Sequence, residues 1–151
     1  MRGCGSSALP TRGKTAGTWL LDTSAAITFV RQDQPGHAET FAALVHRDKG
    51  LAGHAAFETY SVLTRLPVPG RVSAADATRL IRANFPKSCF LTPRRSAELL
   101  AEFASSGVAG GSVYDALVAA CAVEHGRPLV TRDRRAVDTY RTIGATIELL
   151  D

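Results

Sequence analysis

From residue 18 to the end, short β-rich apolar runs alternate with amphipathic helical stretches, and this alternation limits the fold more than any other feature of the chain. The pattern predicts strands over 18–22, 88–91, 128–131 and 145–150, with a short strand or turn near 51–53. Between them it predicts helices over 24–31, 37–48, 54–66, 73–84, 93–106, 112–125 and 133–141. Strands separated by helices return by crossovers, which makes neighbouring strands parallel. The expected architecture is a three-layer α/β domain, a central parallel β-sheet flanked by helices. The stretch SVYDALVAACAVEH (112–125) is apolar nearly all round and built from small residues, as a helix packed close against the sheet requires.

Residues 1–17 lack this periodicity and are rich in Gly, Ser and basic residues, so they are read as a flexible N-terminal extension of a single domain over 18–151. Within them, ALPTRGKT nearly spells a phosphate-cradling loop. The first glycine is replaced by Ala8 and no strand precedes it, which makes the match accidental. A chain of 151 residues buries roughly two-thirds of its unfolded surface in one core.

Fifteen of the eighteen basic residues are arginine and the net charge is +4, which favours a polyanionic partner, with an ordinary basic surface as the alternative. Cys4, Cys89 and Cys121 are odd in number, far apart in the sequence and in no C-x-x-C pair, which argues against a disulfide frame or a zinc knuckle. A reducing cytoplasm fits best. No apolar run approaches the roughly 20 residues of a membrane span, so no membrane partner is expected. The four histidines are scattered, and surface or packing roles are expected for His37, His46, His54 and His125.

Four acids stand out by position. In open parallel sheets ligands sit beyond the carboxyl ends of the strands. Asp22 ends the first strand, Asp133 follows the strand PLVT, Asp115 begins the alanine-rich helix, and Glu58 lies in the helix after the second strand. Each has a simpler explanation. Asp22 and Asp133 could cap the helices that follow, and Ser112-x-x-Asp115 resembles a capping box, each cap contributing about 1 kcal/mol. Glu58 shares a helical column with His54, Ser61 and Arg65, beside the apolar column Leu51, Ala55, Val62 and Leu66, so it borders the buried face. If the four converge, repulsion decides: two like charges 4 Å apart at an effective dielectric of 20 cost about 4 kcal/mol, more than a cap returns. Such a cluster needs a cation, and oxygen ligands point to Mg²⁺ or Mn²⁺. Thr23, Ser24 and Thr131 would orient the carboxylates through their hydroxyls, although capping and strand-end bonding are equally common uses.

These stretches resemble the PIN-domain nucleases, and within them the VapC toxins of bacterial toxin-antitoxin pairs. LLDTSAAI is similar to the family's first acidic motif, AFETYSVLTRL to its helical Glu with trailing Arg-Leu, GGSVYDALVAACA to its third acidic motif, and PLVTRD to its strand-end T-x-D. The resemblance runs from residue 18 to the end. It implies a PIN-like parallel sheet between helices and Mg²⁺-dependent cleavage of RNA, tRNA or rRNA, by an endoribonuclease. It also implies a homodimer, and inhibition by a cognate VapB-type antitoxin in a hetero-oligomer. By match to those motifs Asp22, Glu58, Asp115 and Asp133 become the catalytic metal ligands. Two departures are visible: Ala136 stands where members usually carry an aromatic, and Asp138 is only a loose match to a further acid.

Arg132, Arg134 and Arg135 flank Asp133, and Arg65 lies two turns beyond Glu58. They are expected to guide an RNA backbone toward the acids, or to neutralise the acidic rim when no metal is bound. A phosphatase or receiver-like phospho-acceptor also uses strand-end aspartates. DTS lacks a second Asp two residues on, and no strand-end lysine completes such a site. The remaining alternative is a non-catalytic RNA-binding or antitoxin-docking module of the same fold.

Overall fold

Leu20 and Leu21 are neighbours in the chain and both fully buried, yet they serve different cores on opposite faces of one sheet. Successive side chains of a strand point to opposite faces, so a run that is apolar at every position must be covered on both. The computed structural model describes residues 17–151, and apart from Gly17 the expected extension lies outside the described residues. The strands are β1 (Trp19–Leu21), β2 (Lys49–Leu51), β3 (Leu129–Thr131) and β4 (Ile147–Leu149). All pair in parallel in the order β2-β1-β3-β4, with Leu20 beside Gly50 and Leu129, and Val130 beside Glu148.

The helices are α1 (Thr23–Val30), α2 (His37–Leu44), α3 (His54–Arg65), α4 (Ala74–Asn84), α5 (Pro93–Ser106), α6 (Ser112–Glu124) and α7 (Val137–Ile143). One core joins Leu20 and Leu129 to Val118, Ala119 and Ala122 of α6 and Tyr140 of α7. The other joins Leu21, Leu51 and Val130 to Ala25, Ala26 and Phe29 of α1, Leu44 of α2 and Phe85. A third cluster packs Leu99 and Phe103 of α5 on Ala116 and Ala120 of α6. The three-layer parallel α/β architecture is therefore as expected, and α6 is the buried central helix its composition predicts. Among the described residues, no helix is long and apolar enough to cross a membrane.

Four expectations are corrected. The segment 88–91 is not a strand, although it runs along β2 and makes one parallel bridge, Ala52 with Cys89. The ladder is interrupted because the Leu51 amide donates to the Ser88 hydroxyl instead of a backbone carbonyl. Gly50 is what allows this approach: a Cβ there would stand 2.1 Å from the backbone carbon of Lys87. The second helix ends at Leu44, and β2 begins at Lys49, ahead of the 51–53 expected. The last helix starts at Val137, because Asp133 turns the chain instead of capping it: its Oδ1 accepts the Arg135 amide at 2.9 Å.

The connection from β1 to β2 lays α1 and α2 on the Leu21 face of the sheet, and the connection from β2 across to β3 lays α6 on the Leu20 face. The carboxyl ends of β1 and β3 are thus the switch point at which ligands of such sheets bind.

Candidate active site

Asp22 follows β1 at that switch point and is 3% exposed. Its Oδ1 accepts from the Ser24 hydroxyl at 2.6 Å and the Ala25 amide at 3.0 Å. Its Oδ2 accepts from Thr131 Oγ1 at 2.5 Å and the Tyr140 hydroxyl at 2.8 Å. The Ala25 bond is a helix cap, so the simpler reading of Asp22 is correct as far as it goes. Three further donors on one carboxylate exceed what a cap needs. Burial still pushes the Asp22 carboxyl above the ordinary range, against the pull of those donors.

Glu58 sits in the second turn of α3 with a 39% exposed side chain, at the border of the buried face. Thr23 donates to its Oε2 at 2.7 Å, and His54 Nε2 lies 3.2 Å from its Oε1. The buried column of α3 is Ala55, Thr59 and Leu63, one position off the expected Val62 and Leu66. Asp133 stands two residues beyond β3, where its amide donates to Thr131 Oγ1 at 3.0 Å. Thr131 thereby ties Asp133 to Asp22, and Ser24 adds a second tie by accepting the Arg132 amide at 2.9 Å.

Asp115 lies in the first turn of α6 but caps nothing. Ser112 turns back to the Ala109 carbonyl at 2.7 Å, which excludes the capping box. Among the described residues no donor reaches the Asp115 carboxylate. Its carboxyl is held above the ordinary range by burial and by the charges of Asp133, Glu58 and Asp22, in that order. The four acids therefore share one electrostatic neighbourhood. They do not form a tight cage: among the described residues, no three of them bring carboxylate oxygens within 4.8 Å of one another. An all-oxygen set with uncompensated charge at Asp115 fits a hard cation that keeps several waters. A direct bond to Asp22 would compete with one of its four donors.

The arginines divide. Arg132 is tied into the fold: its Nη1 donates to Thr28 Oγ1 at 3.1 Å and to the Pro35 carbonyl at 2.9 Å. Gly36, at φ +80°, lies so close that a Cβ there would meet the guanidinium at 2.1 Å. Arg134 pairs with Asp151 at 2.5 Å. Arg135 is 96% exposed and 3.7 Å from Asp133, and Arg65 is exposed at the end of α3. Beside Arg135 a shallow cleft of about 410 Å³ is lined by Thr23, Ile27, Val62 and Asp133. Asp138 is exposed in the first turn of α7, and Ala136 is buried beneath it.

Three features escaped the sequence reading. Tyr140 reaches Asp22 from α7, and burial, followed by the Asp22 charge, pushes its phenol well above the ordinary range. His54, expected on a surface or in packing, stacks on Tyr114 at 4.9 Å and faces Glu58. The cysteines, far apart in sequence, meet: Cys89 and Cys121 Sγ are 3.8 Å apart, and with His125 all three ligand atoms lie within 4.8 Å. The neighbouring Cys121 thiol lowers Cys89 to about 7, while Cys121 itself is pushed up. The signal available for this corner was the spacing of Cys121 and His125, four apart on one helix face.

A family model described as PIN domain matches residues 19–141. Ribonuclease VapC27 of Mycobacterium tuberculosis (strain ATCC 25618 / H37Rv) is 45% identical over 127 residues, covering 84% of this chain and 93% of the relative. Ribonuclease VapC40 of Mycobacterium tuberculosis (strain CDC 1551 / Oshkosh) is 40% identical over 131 residues, 85% of this chain and 96% of the relative.

Proposed function

This chain belongs to the PIN-domain family, and on that premise we propose that it is a metal-dependent endoribonuclease toxin acting with Mg²⁺, or with Mn²⁺ in its place. The observation that carries the reading is Asp115: half-buried, with no donor among the described residues, and under the charges of three other acids. Side chains kept for stability alone are not left this way, because repulsion of that kind costs free energy. Support also comes from the ribonuclease names of the two relatives.

In this reading Asp22, Glu58, Asp115 and Asp133 hold the ion, and the domain spans 18–151. When bound, the ion supplies Lewis acidity at the scissile phosphate and a water of lowered pKa. Ser24, Thr131 and Tyr140 fix the Asp22 carboxylate, and Thr23 and His54 fix Glu58. Arg65 and Arg135 offer exposed guanidinium groups to the RNA backbone. Arg132 and Arg134 act mainly by bracing the loop that carries Asp133. The substrate is a tRNA or rRNA. The cellular setting is cytoplasmic, with a cognate VapB-type antitoxin as inhibitor and a homodimer as the toxin unit. An apolar cleft of about 570 Å³ lined by Phe57, Tyr60 and Phe90 supports a protein contact.

One observation favours a second reading, a non-catalytic RNA-binding or antitoxin-docking module: the four acceptor positions of Asp22 are already filled. Incubating the protein with structured RNA, with Mg²⁺ or with a chelator, separates the two. The nuclease gives cuts that vanish with chelator, and the module gives binding without cuts. Growth arrest on expression, relieved by the neighbouring gene, tests the toxin role.

A further inference from the structure

We propose that Cys89, Cys121 and His125 form a binding site for a thiophilic divalent ion of the zinc type, with three protein ligands and an open fourth position. This stands apart from the nuclease reading, since soft sulfur donors select against Mg²⁺. Cys121 and His125 lie four residues apart at the end of α6, on one face. Cys89 approaches from the segment beside β2, its carbonyl accepting the Gly53 amide at 2.8 Å.

The geometry is that of a site already assembled. Two sulfurs bound to one tetrahedral ion at about 2.3 Å stand about 3.8 Å apart. Cys89 and Cys121 Sγ are 3.8 Å apart, and the His125 ligand atom lies within 4.8 Å of both. The Phe90 carbonyl decides which His125 nitrogen is left for an ion. Its Nε2 is 2.8 Å from the Phe90 carbonyl, which can only accept, so Nε2 carries the proton and Nδ1 keeps its lone pair. A ligating histidine whose other ring N–H donates to a carbonyl is the usual arrangement at metal sites. On binding, the ion replaces the thiol protons, which pass to solvent. The bound ion would pin the 88–91 segment, the start of α3 and the end of α6 to one another. Cys121 Sγ already lies 3.4 Å from where a Cβ on Gly53 would be, so the three elements meet there.

The test uses the full chain, fully reduced, titrated with Co²⁺ and then with Zn²⁺. Thiolate-to-cobalt charge-transfer absorption should rise to a plateau at one equivalent and be abolished when Zn²⁺ displaces Co²⁺. Cys89→Ser should remove the band, and Cys4→Ser should keep it. His125→Gln, at an exposed position that leaves the core intact, should weaken Co²⁺ affinity by about tenfold or more. Zn²⁺ should raise the Tm of wild type but not of Cys89→Ser. No band at saturating Co²⁺, a band unchanged in Cys89→Ser, or a band lost in Cys4→Ser overturns the site.

Discussion

The acidic rim draws Asp22, Glu58, Asp115 and Asp133 from four separate parts of the fold, with no three of them gathered within 4.8 Å among the described residues, whereas the sulfur corner brings Cys89, Cys121 and His125 together within that distance. The difference follows from charge. Four carboxylates repel one another, by about 4 kcal/mol for a pair at 4 Å and an effective dielectric of 20, so they cannot close without a cation. Two cysteines and an imidazole carry little like charge, and an arriving ion displaces the protons that the thiols still hold. A loose cluster of acids and a tight cluster of soft donors are thus the forms that the two proposed sites, one for a hard ion and one for a soft ion, would take before binding. Asp22 differs from the other three in carrying four donors, which favour its charged form although burial outweighs them.

The largest expected effect is on cleavage. Chelation, or Asp115→Asn, should abolish metal-dependent cutting of RNA, measured on a gel against wild type. If Asp115→Asn cuts normally, the rim is not the reacting site. Next come opposite signs of stability within the rim. Asp22→Asn strips an acceptor from buried hydroxyls of Thr131 and Tyr140 and should destabilise by about 1–3 kcal/mol in denaturant titration. Asp115→Asn should instead stabilise the chelated protein, by no more than about 1 kcal/mol given its exposure to solvent, or roughly 2–4 °C in Tm. Equal signs would break the contrast between an acid held by four donors and an acid with none among the described residues.

A smaller effect is the pH dependence. The carboxyls of Asp22 and Asp115 lie above their unfolded values, so the folded state binds their protons more readily. Around them stand Glu58, Asp133, Tyr140, His54 and Arg135. Their contribution is fully present below the unfolded carboxylate value of about 4 and is lost as pH rises through the folded values. The chelated protein should therefore melt higher at mildly acidic pH than at neutral pH, and saturating Mg²⁺ should flatten that slope. Glu102, held low chiefly by Arg95, and Glu124, held low chiefly by Thr92, act in the opposite sense, but only as pH falls through the ordinary glutamate range and below. The smallest effect separates the arginines. Arg135→Ala should leave Tm unchanged and lower the salt slope of RNA binding by about 0.7, the loss of one single-strand phosphate contact. Arg132→Ala should cost stability, because it leaves Thr28 and the Pro35 carbonyl without their donor.

What was legible in the sequence was what depends on local pattern. The alternation of apolar runs and helical stretches carries the parallel sheet, and strand ends carry Asp22 and Asp133 to one edge. The segment 88–91 misleads because its strand-like residues are real while its partner contact is interrupted by the Ser88 hydroxyl, a tertiary detail. Tyr140 and the Cys89–Cys121 contact were not legible for a related reason: they span |i−j| of 118 and 32, and no local periodicity encodes a meeting at that distance. The capping reading of Asp115 failed because Ser112 Oγ accepts the Ala109 amide and donates to the Ala109 carbonyl, in the turn that precedes the helix, instead of accepting the Asp115 amide.

The most direct measurement is an anomalous difference map from crystals of the protein soaked in Mn²⁺. The account predicts a manganese peak at the switch point, at coordination distance from the Asp115 carboxylate and from at least one more of Asp22, Glu58 and Asp133. A protein that cuts RNA with Mn²⁺ while its crystals show no peak among those four acids would contradict it.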